Sequence, residues 1–308
     1  MTKKQQQPPR KKNGGGGNLS ALSSKHHDDL CGITDPFCPH ARGARVPDSG
    51  SGRTATEQIR FVQTMKGATD ATSAAMAVCP KTNFPFLRDN TSADAWSSTF
   101  AANGNVTSLC NTSGREVRIV SAGVRIVSLL SATDSKGSLA IARTSVPQLV
   151  STAVQTSPNY YTSYEIHPIG PSTEMHMIFH PTSNQSNDFN DLNDTGIQSS
   201  TDPYPPGWDT IVLRAEGVPK NVDIFRVEYV VNVEFTVKQG SAFQSITEPQ
   251  PLYNPQMLVA RNAVHNSVNH VMKGAADKAK SHLKQEAKKA LTKHILPFLA
   301  KKGAALLA

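Results

Sequence analysis

Hydrophobic and polar positions alternate through the middle of the chain with the two-residue period of half-buried β-strands. The clearest alternation lies at 209–215 and 223–238, where β-branched and aromatic residues dominate. The segment 116–130 alternates and then becomes apolar, and Gly123 within it predicts a bend or a bulge. Further strands are predicted at 57–66, 73–79, 138–144 and 174–180.

The number and spacing of these strands predict an all-β domain. Between 57 and 240 no segment has a helical period, and the connections are long and polar, notably at 181–208. Seven or eight strands with such loops predict an antiparallel, eight-stranded jelly-roll sandwich at 57–250. An immunoglobulin-like array is the competing sandwich, but the chain is too long for one copy and has no internal repeat.

The hydrophobic period changes after Pro255 to one apolar residue every three or four positions. This pattern predicts a linker and a basic amphipathic helix within 251–308, and Pro297 ends that helix. Plain docking is one interpretation of its apolar stripe, while its lysines favour contact with RNA, with a membrane, or with both in turn. The stripe contains Val264, Val268, Val271, Ala275, Ala279, Leu283, Ala287, Leu291 and Ile295.

The first 56 residues form the third predicted region. Lys, Gln, Pro and four successive glycines at 14–17 make 1–25 a low-complexity arm, which we predict to be disordered. Residues 26–56 are rich in Pro, Gly and Asp and predict an irregular connector.

The positive charge is concentrated at the two ends. The chain carries +8 overall, with +6 in 1–25 and +7 in 263–308, so 26–262 carries −5. Basic blocks are often only solvated tails, but basic ends on a mildly acidic body favour a polyanion bound at the ends. The candidate RNA-binding residues are Lys3, Lys4, Arg10, Lys11, Lys12, Lys273, Lys280, Lys284 and Lys288.

Several other classes of protein find no support in the sequence. The four cysteines show no zinc-ligand spacing, so we expect reduced thiols, and a Cys31–Cys38 bridge stays open. No apolar stretch suits a signal peptide or a membrane span, so we expect the protein to stay in the cytosol unless it leaves inside a particle. No phosphate loop, nucleophile–His pattern or RNA-recognition motif is present, so we expect no turnover enzyme.

Three segments carry short motifs: 34–36 (TDP) with 46–48 (VPD), 207–214 (GWDTIVLR), and 261–263 (RNA). These segments resemble the coat proteins of nodaviruses, the alphanodavirus type in particular. The chain is shorter than that type and its 31–38 run is not part of the pattern, so a related noda-like or tombus-like lineage is an equal interpretation. The resemblance implies the jelly-roll capsid protein of a small, non-enveloped, positive-strand RNA virus, with 180 copies in an icosahedral capsid.

The resemblance also implies one autocatalytic cleavage per chain, between Asn262 and Ala263, which releases 263–308. The side-chain amide of Asn262 would attack its own carbonyl carbon and expel the amine of Ala263. Asp48 matches the catalytic aspartate of the family by its Pro-Asp context, and a buried, neutral carboxyl there would polarise the carbonyl and carry the proton. The alternative is that Asp48 only turns the loop after Pro47.

An acidic run at 188–194 resembles the loop that leads into Gly-Ile-Gln in this family, here at 196–198. Asp188, Asp191 and Asp194 would supply the oxygen ligands that Ca²⁺ prefers, at interfaces between subunits. The spacing is not that of an EF-hand, and a solvated Asx-rich turn is the alternative.

We therefore predict a capsid protein that assembles with copies of itself, packages viral genomic RNA and contacts a host membrane through the released helix. It would be found in the virion and, during assembly, in the host cytoplasm. Two alternatives stay open: a cellular RNA-binding β-sandwich protein without assembly or cleavage, and a hydrolase on a β-sandwich. Shell formation without an added substrate distinguishes the capsid protein from both.

Overall fold

A computed structural model gives the structure of the protein. It describes residues 24–48, 52–69, 71–90, 95–102, 108–192, 200–201, 207–251, 257–258, 261 and 271–272. The helices are α1 (Ser24–Thr34) and α2 (Leu109–Ser113), with 3-10 segments at Pro158–Tyr160, Asn184–Asn187 and Ala242–Ile246. The strands are β1 (Arg53–Lys66), β2 (Ser73–Val78), β3 (Phe86–Asn90), β4 (Ala95–Trp96), β5 (Gly114–Ser128), β6 (Ser138–Thr144), β7 (Ser163–Pro168), β8 (Glu174–Ile178), β9 (Asn190–Asp191), β10 (Thr210–Glu216), β11 (Asp223–Val237), β12 (Glu248–Pro249) and β13 (Val271–Met272).

Two antiparallel sheets face each other, which confirms the predicted all-β sandwich. The first sheet has the order β12-β1-β11-β5-β8-β13, and β9 pairs separately with β5. The second sheet has the order β4-β3-β2-β10-β6-β7. In the first sheet Val231 of β11 stands opposite Ile59 of β1 and Ala122 of β5, and all three side chains are buried in the core between the sheets.

Alternate residues of β11 face opposite sides of the first sheet, as in any strand. One set, which includes Val227, Tyr229 and Phe235, packs into the main core. The other set changes along the strand, because Arg226 is exposed whereas Glu234 is fully buried. Another part of the chain must therefore cover the half of the outer face that carries Glu234.

The cover is a third layer, made of 24–48 with 257–258 and 261, which we call the terminal layer. Its apolar contact with the sheet is the cluster of Leu30, Ile33, Val46, Val120 and Met257. This layer brings together two parts of the chain that lie more than 200 positions apart in the sequence.

Polar contacts fix the position of the terminal layer on the sheet. Gln58 Nε2 donates to the backbone oxygen of Pro36 over 3.3 Å, and Ser121 Oγ donates to that of Gly32 over 3.1 Å. The ring of Phe37 lies 4.9 Å from the ring of His176 on β8. Hydrogen bonds to backbone oxygens set the register of the layer more closely than apolar contact would, because they depend on direction.

Gly123 does not form the predicted bulge, since it pairs regularly with Val230 of β11. The register shift lies nearby, between Asn232 and Val233 of β11. Glycine is needed for a different reason: a Cβ at position 123 would stand 2.6 Å from Pro36 Cγ and 2.8 Å from the backbone oxygen of Met177. The absent side chain lets the terminal layer approach the sheet backbone.

Two local expectations differ from the structure. Residues 24–34 form α1 where the sequence predicts the end of the arm and an irregular connector. Val271 and Met272, predicted to be helical, form β13 on the edge of β8, because an edge strand offers unpaired backbone groups and valine suits a strand. The rest of the predicted helix and residues 1–23 of the predicted arm lie outside the described residues. None of the described helices is long and apolar enough to cross a membrane.

Cys31 and Cys38 form a disulfide, whereas the default expectation is reduced thiols. It joins the last turns of α1 to the loop that carries Pro36 and Phe37 over the sheet. Cys79 and Cys110 are buried and unbridged, and burial raises the pKa of the Cys79 thiol. The bridge closes a short loop that is docked against the first sheet.

Replacing both Cys31 and Cys38 by serine should lower the free energy of unfolding by about 2–3 kcal/mol, because the open loop gains chain entropy when it unfolds. Denaturant unfolding without reducing agent measures the difference. In a reducing buffer the wild type should fall to the stability of the variant. Equal stability of the two proteins under oxidising conditions would contradict a structural bridge.

Candidate functional site beneath the terminal layer

Arg118 of β5 is the centre of a charged cluster between the first sheet and the terminal layer. Its side chain is 1% exposed, and Nε donates to Glu234 Oε2 over 2.8 Å. Nη1 donates to Asp48 Oδ2 at 2.9 Å and to the backbone oxygen of Asn187 at 3.1 Å. Nη2 donates to the backbone oxygen of Val46 at 2.7 Å. Every nitrogen of this guanidinium therefore has an oxygen acceptor, which a buried cation requires.

Glu234 of β11 is the fully buried anion of the cluster. Besides Arg118 it accepts from Thr54 Oγ1 over 2.6 Å and from the backbone N–H of Val46 over 3.2 Å. Gln250 Nε2 is a longer donor at 3.4 Å. The carboxylate thus ties β11 to β1 and to the connector that leads to Asp48.

Asp48 lies at the edge of this cluster, where it is partly open to solvent. Its side chain is 34% exposed, and its backbone N–H donates to the oxygen of Pro251 over 3.2 Å. This partial exposure differs from the buried carboxyl that the sequence suggests.

Arg261 is a second fully buried arginine, and it belongs to the other part of the terminal layer. Nη1 donates to Asn187 Oδ1 over 2.5 Å, and Nη2 donates to the backbone oxygen of Val120 over 3.2 Å. Its guanidinium lies 5.3 Å from the centre of the Trp208 ring. Burial, and next the charge of Arg118, lower the pKa of Arg261 to about 10. Its Nε is buried and finds no acceptor among the residues that the structure describes.

Asn187 joins the two arginines. Its backbone oxygen accepts from Arg118 and its side-chain oxygen accepts from Arg261. The 3-10 segment Asn184–Asn187 is fixed in turn by Ser183, whose hydroxyl accepts from the N–H of Gln185. The cluster therefore connects Asp48 to the residue that directly precedes Asn262.

The structure contains only part of the predicted sites. Asp48 belongs to the cluster, whereas Asn262 and Ala263 lie outside the described residues. Asp188 is exposed, and Asp191 stands opposite Glu116 of β5. Within the described parts of the chain no group of three His, Cys, Asp or Glu residues could hold a metal ion. Asp194 and the candidate RNA-binding residues Lys3, Lys4, Arg10, Lys11, Lys12, Lys273, Lys280, Lys284 and Lys288 also lie outside the described residues.

Sequence reasoning missed four residues of the cluster: Arg118, Asn187, Glu234 and Arg261. A signal was present for two of them, because Arg118 and Glu234 each stand between two apolar residues of a strand. A charged side chain on the outer face of such a strand either contacts solvent or pairs with a buried partner. The sequence alone does not distinguish the two cases, because it does not show which other segment covers that face.

A second polar site lies at one end of the second sheet, in a cavity of about 440 Å³. Asp209 accepts from Arg143 Nη1 over 2.8 Å and from the backbone N–H of His180 over 2.8 Å. Burial raises the pKa of Asp209, and the charge of Arg143 opposes that rise. The ring Nδ1 of His180 is 4.0 Å from the carboxylate, too far for a hydrogen bond. This is not the geometry of an oriented catalytic histidine, so it gives the hydrolase alternative no support.

Replacing Arg118 by methionine should lower the free energy of unfolding by about 3–5 kcal/mol, because Glu234 would remain buried without its cation. Replacing Glu234 by leucine in the same chain should recover a large part of that loss. Glu248→Gln is the matched control, since it breaks the exposed Arg45–Glu248 pair at a cost below about 1 kcal/mol. Denaturant unfolding of the four proteins measures the differences. Equal losses for Arg118→Met and Glu248→Gln would contradict a buried network.

No family model matches the chain, and no curated protein matches it. Solved structures do match. One is the T13 viral particle of infectious bursal disease virus (IBDV), with a TM-score of 0.58 and 9% identity over 89% of this chain and 100% of that chain. Another is a T=1 particle derived from infectious bursal virus, with a TM-score of 0.53 and 8% identity over 87% and 96% of the two chains. A mutant VP2 protein of infectious bursal disease virus in T=1 particles gives 0.54 and 9% over 88% and 99%. At such low identities these matches show a shared fold.

Proposed function

We propose that this chain is the capsid protein of a non-enveloped virus and that copies of it close an icosahedral shell around positive-strand RNA. The fold is shared with proteins that are described in viral and T=1 particles. The nodavirus resemblance makes a shell of 180 copies the specific form of this proposal. The protein would then be found in the virion, and in the host cytoplasm during assembly.

The strand order supports a jelly roll as the form of the sandwich. Eight strands of the two sheets form the pattern of a jelly roll, and β3 is an additional strand outside it. In chain order the eight are β1, β2, β5, β6, β7, β8, β10 and β11. The first pairs with the last, the second with the seventh, the third with the sixth and the fourth with the fifth. Such nested antiparallel pairing is what two successive Greek keys produce.

The observation that carries the functional proposal is the common position of the two chain ends. Residues 24–48 belong with 257–258 and 261 to one layer on one face of the first sheet. The strongly basic segments 1–23 and 263–308 adjoin these two parts of the chain in the sequence. Both would therefore start on the same side of the subunit, and in a closed shell that side would face the RNA.

Packaging would be electrostatic. Lysine and arginine neutralise phosphates and release counterions, so binding tolerates any sequence and weakens with salt. The candidate residues named above supply the charge, and the body of the chain, at −5, does not compete for RNA. A cellular RNA-binding protein would show the same salt dependence but would form no shell.

Cleavage between Asn262 and Ala263 is the proposed maturation step. Asn262 Nδ2 would bond to the backbone carbonyl carbon of the same residue and the bond to the nitrogen of Ala263 would break. The amide nitrogen loses a proton to the Asp48 carboxylate, and the amine of Ala263 gains one as it leaves. Water then opens the cyclic imide. Two observations support this role of Asp48: it is linked to Arg261 through Arg118 and Asn187, and it is open to solvent.

Two further proposals concern the released segment and calcium. The 263–308 segment would bind anionic membranes through its apolar stripe and its lysines, although pairing of β13 with β8 would first have to break. If a synthetic 263–308 peptide released no dye from anionic vesicles, this role would be contradicted.

Calcium at subunit contacts would use Asp188, Asp191 and Asp194. Particles that are equally stable with and without a calcium chelator would contradict this calcium site.

The Cys31–Cys38 disulfide agrees with a protein that ends in an extracellular particle. Structural disulfides form and persist in oxidising surroundings and are rare in the reducing cytosol. A subunit assembled in host cytoplasm would then close this bridge only after the particle has left the cell.

Expression of the full chain should yield sedimenting particles. The polypeptides in these particles should have the intact masses of 1–262 and 263–308. Asn262→Ala particles should contain only the 308-residue chain, because the attacking amide is absent. Asp48→Asn should slow the cleavage without abolishing assembly. Particles of wild type that hold only the full chain would retain the capsid proposal and refute the cleavage, and a chain that forms no particles would favour the cellular RNA-binding protein.

Replacing Lys3, Lys4, Arg10, Lys11 and Lys12 by glutamine should weaken RNA binding most at low salt. The slope of log K against log salt should become less steep by about 0.7 for each phosphate that the arm no longer neutralises. The matched control replaces Gln5, Gln6 and Gln7 by serine, which changes the same arm and leaves its charge intact. Fluorescence titration with single-stranded RNA measures both slopes. An unchanged slope for the glutamine variant would show that the arm does not bind RNA.

A further inference from the structure

Two arginine side chains meet at one oxygen atom on the outer face of the first sheet. Arg60 of β1 donates to Gln58 Oε1 through Nε over 3.2 Å and through Nη2 over 3.0 Å. Arg42 of the terminal layer donates to the same oxygen through Nε over 3.1 Å. Both arginines are exposed. Because like charges repel each other, the shared acceptor brings the two guanidinium groups closer together than charge alone would allow.

The oxygen that joins the two arginines is fixed from beneath. Gln58 Nε2 donates to the backbone oxygen of Pro36 over 3.3 Å and to Asn232 Oδ1 over 3.0 Å. Asn232 is buried and donates in turn to Ser121 Oγ over 3.1 Å. A backbone carbonyl only accepts hydrogen bonds, so the amide nitrogen of Gln58 points towards Pro36 and its oxygen points away, towards the arginines. The arginine pair is therefore built on a held group.

Most N–H groups of the pair have no acceptor among the residues that the structure describes. Arg42 uses only Nε, and Arg60 uses Nε and Nη2. Glu228 Oε1 is 3.8 Å from Arg60 Nη1, which is too long for a hydrogen bond. The amide of Gln58 is neutral and does not offset the charge. The pair thus presents two planar sets of donors to solvent, and this shape matches the oxygens of a phosphate group.

The uncovered part of the outer face carries more positive charge beside the pair. Arg226 of β11 is exposed and has no ion-pair partner in the described parts of the chain. Arg125 of β5 binds Glu174 over 3.0 Å and Glu228 over 3.5 Å. Counting the pair, four arginines face these two carboxylates. Arg226 lies four residues along the strands from the level of Arg60, or about 13 Å, so the positive charge forms a row.

The location of the pair favours RNA as its partner. Arg42 belongs to the terminal layer, and the basic segment 1–23 adjoins that layer in the sequence. Under the proposed function, this side of the subunit faces the RNA. The chain from 26 to 262 carries −5 in total, so a polyanion would bind the folded body only where positive charge is locally in excess. The arginine pair is such a place.

We propose that Arg42 and Arg60, held by Gln58, bind phosphate groups of the packaged RNA on the folded body of the subunit, and that Arg226 extends this contact along the sheet. The inference rests on the proposed function and adds a fixed contact to the two basic ends. Phosphate contacts carry no base information, so this contact reads no sequence. It sets where the RNA backbone lies on the subunit.

The test is a fluorescence titration of the full chain with single-stranded RNA at several salt concentrations. The starting protein is the arm variant described above, so that binding by the arm does not hide the body contact. Adding Arg42→Gln and Arg60→Gln should make the slope of log K against log salt less steep by about 0.7 for each phosphate that is no longer neutralised. The matched control adds Arg88→Gln and Lys136→Gln, at exposed positions of β3 and of the β5–β6 connection, and should leave the slope unchanged.

Two further measurements address the shape of the site and the source of the phosphate. Arg42→Lys with Arg60→Lys keeps both charges and should keep the slope, but RNA affinity should fall several-fold because an ammonium group cannot present parallel N–H groups. Equal affinity of the arginine and lysine forms would overturn the role of the shared geometry. Inorganic phosphate should not saturate the protein at concentrations at which RNA does. Saturation there would indicate a site for free phosphate and overturn the assignment to RNA.

The outcomes separate this inference from the proposed function. If the wild type forms no particles and binds no RNA, both fail. If the wild type packages RNA and the Arg42–Arg60 variant has the same slope as its control, only the body contact is overturned. If loss of the pair prevents assembly and leaves the slope unchanged, the pair binds an acidic surface of another copy, and the RNA contact is overturned. A less steep slope for the pair, and not for the control, would establish it.

Discussion

Arg118 is withdrawn from water in the middle of the first sheet, and a buried guanidinium costs several kcal/mol unless oxygen atoms meet its donors. Those oxygens come from the connector at 46–48, from Asn187 and from Glu234 of the neighbouring strand. No one segment supplies them, so the terminal layer has to close over the sheet before Arg118 is satisfied. The half-covered sheet, the burial of Glu234 and the place of Asp48 all follow from that requirement.

The long strands could be predicted from the sequence because their pattern is local. The run at 223–238 alternates β-branched or aromatic residues with others, and it forms β11 as Asp223–Val237. Strands without a strong period were missed: β3, β4 and β7 are short or have few buried positions. Their pairing depends on neighbours in the second sheet rather than on their own residues, so no local signal identifies them.

The terminal layer was misjudged for a related reason. Residues 24–34 have a weak apolar pattern, and they form α1 because the first sheet offers them a surface and the Cys31–Cys38 bridge closes the loop that follows. In the same way, Asp48 could be named from its Pro-Asp context, whereas its partners could not. Arg118 is 70 positions from Asp48 and 116 from Glu234, and only the folded topology brings the three together.

This separation in sequence has a consequence for when the proposed cleavage can occur. Asp48, Arg118, Asn187 and Arg261 come from four distant parts of the chain, and an unfolded chain never holds them together. The amide of an ordinary asparagine is a poor nucleophile towards its own backbone, so the proposed cleavage would need Asp48 held in place by this cluster to proceed at a useful rate. A chain built in this way would keep 263–308 attached through synthesis and folding, and would cut it only once the terminal layer has closed. The burial of two arginines would then act as the control on timing, since the same desolvation that makes the cluster costly also prevents it from forming early.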